Sequence, residues 1–326
     1  MTEALYGDAG FYRARPGTPA AHYRTSPHVS PAFADALVRL AARVDAAIGS
    51  PDAFDVCDLG SGGGELLAAM RGRAVVVVPQ LAARLRLAGV DVAPRPPGLA
   101  DDIEWYAEMP RVTGLLIANE WLDNVPVDVV ADFPDGARLL QVDEAGNERP
   151  GPAASAADRE WVERWAPAGA TRAEVGSSRD VAWARAVGSV RRGAALAIDY
   201  GLDGQVDGTL AGFRDGRQVR PVPDGSCDLT AHVQFGSVAA AGAARVGVPP
   251  LVLSQRDALA ALGVDTARPA TALAASDPGA YVAALADVSR RARLLDRDGL
   301  GGFTWLLQPV GIDGAGLLPD AAPPSR

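Results

Sequence analysis

One stretch limits the possible folds more than any other. Phe54-Asp55-Val56-Cys57-Asp58-Leu59 is short and mostly apolar, and it runs straight into Gly60-Ser61-Gly62-Gly63-Gly64. A helical pattern opens at Glu65. A strand, a tight turn and a helix in that order are the first unit of a mostly parallel sheet with helices on both faces. Glycine in such a turn permits backbone angles that side chains resist, and it lets a ligand approach the main chain closely.

The alternation continues along the chain. Pro31 opens a helix with Phe33, Leu37, Leu40, Ala41 and Val44 on one face. Helix is expected from Glu65 to about Met70, while residues 75–78 fit either state. Residues 81–87 start helical and turn to strand near Arg86. Strands follow at 87–92, ending near Asp91, at 103–106, and at 114–118, ending at Asn119-Glu120. Residues 127–142 have the pattern of a hairpin that turns at Pro134-Asp135-Gly136. Residues 150–157 read as a Pro/Ala linker. Residues 158–165 and 179–190 read as helices, the second stopped by Gly193, and 194–200 as a buried strand ending at Asp199-Tyr200. Strands and loops are expected from Gly208 to Phe235, then helices at about 255–262 and 278–295. Residues 1–30 read as an ordered loop, because Tyr6, Phe11, Tyr12 and Tyr23 are costly to leave in water. The tail, 317–326, reads as frayed. The organisation expected is an N-terminal loop and helix covering the site (1–50), a core with an inserted hairpin and linker near 127–160 (51–235), and a segment that completes the core and covers the substrate (236–326).

Ligands of such sheets sit at the carboxyl ends of the strands. Asp58 and Gly60, Asp91, Asn119 and Glu120, and Asp199 and Tyr200 therefore form one set. A dinucleotide turn would read G-x-G-x-x-G. Gly60, Gly62 and Gly64 are spaced G-x-G-x-G, with Asp58 two residues ahead. An acid there is awkward beside a pyrophosphate and suits a cationic amino group. Asp91 can accept the two hydroxyl protons of a ribose, or be a solvent-facing strand end. Asn119-Glu120-Trp121-Leu122-Asp123-Asn124-Val125-Pro126 places amide and carboxylate groups where a nitrogen nucleophile would be oriented; Asp123 also reads as a helix cap. In Asp228-Leu229-Thr230-Ala231-His232-Val233, His232 is either a proton acceptor or a satisfied structural histidine.

Composition removes several classes. All 31 basic residues are arginine, so no lysine is available for a Schiff base or a phosphate loop. The net charge of −9 argues against nucleic acid as a partner and favours a cationic substrate such as an arginine-bearing peptide. Two cysteines and three histidines give neither a disulfide framework nor a metal-ligand spacing, so no metal is expected. No apolar run approaches the roughly 18 residues of a membrane span, and no signal segment is visible at Met1–Arg15, so a cytoplasmic protein is expected. Oligomeric state stays open.

Several of these stretches together resemble the MidA-like methyltransferases, relatives of the mitochondrial complex I assembly arginine methyltransferase. The matching pieces are Tyr23-Arg24-Thr25-Ser26-Pro27-His28-Val29-Ser30-Pro31-Ala32-Phe33, Asp58 to Gly64, Asn119 to Pro126, Ile198-Asp199-Tyr200-Gly201, Gly208-Thr209-Leu210 and Asp228 to Phe235. The resemblance implies a Rossmann-like class I methyltransferase sheet with helices on both faces and an added substrate-covering subdomain. It implies S-adenosyl-L-methionine as cofactor and a protein arginine as acceptor. Thr25 and Ser26 would lie near the cofactor. Asp58, Gly60, Ser61, Gly62 and Gly64 would seat its methionine end, Asp91 its ribose, and Asn119 would touch it. Trp105 or Tyr106 would flank the adenine or sit in the core. Asn119, Glu120, Asp123 and His232 would carry the chemistry. His28 and Gln234 stand where the family pattern has acids, and Gly63 where it often has arginine. These departures bear on the acceptor, so a small-molecule methyltransferase and a cofactor-binding assembly factor without turnover remain as alternatives.

Overall fold

The computed structural model describes residues 1–14, 26–201 and 208–318. Thr25 and Tyr23 lie outside the described residues, as does most of the tail. The strands are β1 (Phe54–Leu59), β2 (Leu85–Val90), β3 (Ile103–Tyr106), β4 (Val112–Asn119), β5 (Asp128–Phe133), β6 (Gly136–Val142), β7 (Glu148–Ala153), β8 (Arg172–Val175), β9 (Val190–Asp199), β10 (Ala211–Arg214), β11 (Arg217–Val219), β12 (Asp228–Thr230), β13 (Leu251–Ser254) and β14 (Thr304–Val310).

Seven of them form a central sheet in the order β13-β14-β9-β4-β1-β2-β3. Neighbours from β9 to β3 run parallel, and β14 is antiparallel to both of its neighbours. The chain leaves β1 for β2 on one side, while β4 pairs with β1 on the other. The strand order reverses between β1 and β4, and a crevice opens at their carboxyl ends. That crevice is where Asp58 and Gly60 meet Asn119 and Glu120.

Helices cover both faces. Pro31–Ile48 and Glu65–Val77 pack on one, where Phe33, Leu37, Leu67 and Met70 are buried with Phe54 and Ile117. Ser30 starts the first of these helices by accepting from the Ala32 N–H (3.3 Å), and Gly49 ends it at φ +90°. Ser177–Ser189 and Phe235–Val246 cover the other face, where Trp183 packs among Leu116, Val187 and Val238. The inserted region is larger than a hairpin: β7-β6-β5-β8 make a four-stranded antiparallel sheet, and β11-β10-β12 a three-stranded one.

Several local expectations need correction. The stretch read as a Pro/Ala linker is strand β7 up to Ala153, with the next helix starting at Ala156; β7 is an edge strand, where proline costs no ladder bond. Gly193 does not stop a helix. It lies inside β9 at φ +136°, and a Cβ there would strike the Gly114 carbonyl of β4. The apolar run at 75–77 ends the helix from Glu65, with Val75 and Val76 exposed. The N-terminal loop contains the short helices Thr2–Tyr6, Phe11–Ala14 and Ser26–Val29. Leu317 and Leu318, read as tail, are buried, and the Leu317 carbonyl accepts from Arg43. The helix Phe235–Val246 was not expected from its Gly/Ala-rich sequence; Gly242 lets it press against the Trp183 indole. Among the described residues, no helix is long and apolar enough to cross a membrane.

Candidate active site

β1 delivers Asp58 to the crevice, and the chain turns away through Gly60 (φ +73°), Gly62 (φ +54°) and Gly64 (φ +77°). A Cβ on Gly60 would lie 2.6 Å from the Trp121 ring, so indole contact and backbone angle both demand glycine. Gly64 caps the helix Glu65–Val77 and lies just behind the cavity wall. The Ser61 hydroxyl donates to Asp58 Oδ2 at 2.9 Å. Asp91, at the end of β2, accepts from the Gly62 N–H and the Ala93 N–H, both at 2.8 Å, and so ties the glycine turn to the next strand. Burial pushes Asp58 up to about 7; the Ser61 hydrogen bond opposes the shift, and nearby Asp91 and Glu65 add to it. Burial raises Asp91 as well, against three backbone hydrogen bonds.

β4 ends at Asn119, and the next residue, Glu120, adopts φ +52°. A left-handed non-glycine residue costs of order 1–2 kcal/mol and marks a place where side-chain direction matters. The Glu120 N–H is held by the Ile198 carbonyl at 2.8 Å. Its carboxyl accepts from Asn119 Nδ2 at 3.2 Å and from the Ser26 backbone. Burial, then the neighbouring Asp123, push Glu120 up to about 7.

Asp123 is fixed from three directions. Its N–H donates to Asp199 Oδ2 (3.1 Å). Its own Oδ2 accepts from the Tyr200 hydroxyl (2.5 Å) and the Thr230 hydroxyl (2.7 Å), which also touch each other. Its carbonyl accepts from Arg179 at 2.6 Å. Arg179 is 1% exposed and also donates to the carbonyls of His232 (2.7 Å) and Val125 (3.2 Å), so one guanidinium staples the 123–125 loop to the 232 loop. The N-terminal helices join this cluster. The Tyr12 hydroxyl and Asn124 Nδ2 both donate to Asp228 Oδ1, at 2.9 and 3.0 Å, and the Tyr6 hydroxyl donates to the Asn124 carbonyl at 3.1 Å. Burial raises Asp123 and Asp199 and lifts Asp228 to about 7.

A single cavity of about 1380 Å³ joins the two ends; Asp58, Gly60, Ser61, Gly62, Asp91, Asn119, Glu120 and Asp123 all line it. Two buried oxygens at the acceptor end, Asn119 Oδ1 and Asp123 Oδ1, have no hydrogen-bond partner. Around Asp58, Asp91 and Glu120 the wall presents carboxylates, which fits ligand groups that bring N–H and O–H donors. Among the described residues, no metal-ligating cluster forms.

Most other expected residues sit off the wall. Ser26 is fully buried and accepts from Gln255 Nε2 at 3.2 Å. His232 lies edge-on to Tyr200, ring centroids 5.1 Å apart, with a buried Nδ1 that has no partner; burial lowers its pKa. Trp105 donates to the Ala93 carbonyl, and Tyr106 turns to Glu104. Neither lines the cavity; Ala107, Glu108 and Met109 do. Gln234 caps the helix Phe235–Val246, accepting from the Gly236 N–H, and donates to the Trp165 carbonyl. His28 lies 4.0 Å from Glu65 on the wall. Tyr6, Tyr12 and Arg179 were missed. A tyrosine-rich N-terminus hinted at the first two; Arg179 carries no signal in a chain with 31 arginines.

A protein-family model described as "putative S-adenosyl-L-methionine-dependent methyltransferase" matches residues 36–253. Two solved structures from Burkholderia thailandensis are similar over nearly the whole chain. One, a COG1565 superfamily member bound to S-adenosyl-homocysteine, is 26% identical with a TM-score of 0.81, covering 99% of this chain and 90% of that one. The other, a native COG1565 superfamily protein, is 26% identical with a TM-score of 0.77, covering 99% and 89%. No curated protein matches.

Proposed function

The chain belongs to this family of S-adenosyl-L-methionine-dependent methyltransferases, with the MidA-like proteins, and we propose that its acceptor is a protein nitrogen, that of an arginine guanidinium. The observation that supports this reading is the group of carboxylates and amide on the cavity wall at the end of β4, Glu120 and Asp123 with Asn119, in a chain with a net charge of −9. A guanidinium brings five N–H groups in a planar fork and a positive charge.

Bound S-adenosyl-L-methionine supplies a methyl carbon on a sulfonium that leaves readily as a thioether. Asp58 and the turn from Gly60 to Gly64 hold the ammonium end in this scheme, and Asp91 the ribose. The Glu120 carboxylate, with Asp123 behind it, would accept the acceptor's N–H groups, which localises the guanidinium charge and aims one nitrogen at the methyl carbon. Transfer of that methyl group would leave the acceptor nitrogen with a proton to shed. Glu120, raised to about 7 by burial, is matched to receive it near neutral pH. His232 packs edge-on against Tyr200, which holds Asp123 in place.

The test is incubation with tritiated S-adenosyl-L-methionine and cell lysate, followed by separation of protein from metabolites. Label in protein, recovered as methylarginine after hydrolysis, is the expected result. Label confined to metabolites replaces this reading with a small-molecule acceptor. Cofactor binding without labelled product would leave an assembly role.

A further inference from the structure

The cavity does not end at the acceptor residues. It continues along the helix Ser177–Ser189 and is lined at its far end by Arg111, Arg185 and Arg245. Two rulers give its length. Arg111 directly precedes β4 and Asn119 ends it, which is about 25 Å at the usual rise per strand residue. The helix start touches the acceptor loop, Arg179 to the Asp123 carbonyl and the Ser178 hydroxyl to the Pro126 carbonyl. Its end touches Arg111, which donates to the Gly188 carbonyl at 2.7 Å. Thirteen helical residues span about 20 Å.

The three arginines converge. A Cβ on Gly188 would lie 2.6 Å from Arg245 Nε, so the Arg245 side chain crosses the helix closely at that position. Val181, Arg185 and Gly188 fall on one stripe of the helix, and Val181 is 61% exposed. All three arginines are exposed. None has a carboxylate within ion-pair distance among the described residues, whereas Arg71, Arg73, Arg84, Arg138 and Arg172 each do. The groove is therefore open, apolar in its middle, acidic at the Glu120 end and basic at the other.

We propose that this groove seats an extended acceptor polypeptide, with the methyl-accepting side chain at Glu120 and acidic residues about six to eight positions away at Arg111, Arg185 and Arg245. The inference rests on the reading of a protein acceptor. A small acceptor does not reach both ends; an extended chain with a cation at one end and acids about six to eight residues away does.

The test uses synthetic peptides carrying one arginine and a Glu-Asp pair seven residues to either side, against the same peptides with Lys-Lys or Ser-Ser in that place. Binding is read by fluorescence anisotropy with S-adenosyl-homocysteine present, and transfer by tritium. In one of the two orders the acidic peptide should bind about ten-fold tighter than the lysine peptide at low salt. The advantage should shrink at high salt, and vanish in Arg185→Glu with Arg245→Glu. Calorimetry with S-adenosyl-homocysteine confirms that this variant is folded, and Arg185→Ala with Arg245→Ala replaces it if it is not. Equal binding of all peptides, or a preference untouched by both variants, overturns the groove. Peptides labelled without charge preference sink the groove and leave the protein acceptor standing. Charge-selective binding without any label does the reverse.

Discussion

At the ends of β1 and β2 the carboxylates already have partners from nearby: Ser61 for Asp58, and the Gly62 and Ala93 N–H groups for Asp91. At the end of β4 they are held by residues from across the chain, and two oxygens are left without a donor. The end at Asp58 is a local turn that needs little from the rest of the fold. The end at Glu120 is assembled by tertiary structure, from partners far apart in the chain.

The sharpest way to separate the two ends is Glu120→Gln. Turnover should fall by about 10²–10⁴-fold, as for loss of a positioned proton acceptor, while calorimetry finds cofactor affinity nearly unchanged. Equal loss of both would mean that the ends are one site. Arg179→Met attacks only the assembled end. Three carbonyls lose their donor and the buried acids their nearest cation, so urea denaturation should show a loss of about 3 kcal/mol. An unchanged midpoint would show that the staple is redundant. Asp58→Asn attacks only the local end. Cofactor dissociation constants should rise by about ten- to a hundred-fold, the worth of a charge-assisted hydrogen bond, with turnover at saturating cofactor nearly intact.

The same groups also set a pH dependence. Burial raises Asp58, Glu120 and Asp228 to about 7, above an unfolded value of about 4. Between those values the folded chain holds protons that the unfolded chain has released. Stability of the free protein should therefore fall as pH rises from about 4 to about 7 and level off above. Cofactor affinity should move the other way, rising by at most about ten-fold per pH unit for one released proton, because an ammonium prefers an ionised Asp58. Calorimetry in buffers of different ionisation heat reads that proton directly; no release at pH 6 would remove Asp58 from the ammonium site.

The same contrast decides what could be read in the sequence. The glycine turn, Asp58 and Asp91 announce themselves because strand, turn and helix are contiguous. Asn119, Glu120 and Asp123 were legible as polar residues at a strand end, and the cavity does gather them. Their partners were not: the link from Tyr12 to Asp228 spans 216 residues and that from Tyr200 to Asp123 spans 77, and no periodicity encodes such pairings. Strand β7 and the helix Phe235–Val246 were lost for a related reason. Edge position excuses the prolines of the first, and the Trp183 contact explains the small residues of the second; both facts exist only once neighbours are in place.

The clamp between Tyr12 and Asp228 has a consequence for synthesis. The tyrosine leaves the ribosome long before its carboxylate partner has been translated, by about 10–40 s at common elongation rates. For that interval a nascent chain can have its glycine turn but not the wall that Tyr6 and Tyr12 build over the acceptor loop. Methylating competence then arrives late and all at once, so an incomplete translation product should transfer no methyl group.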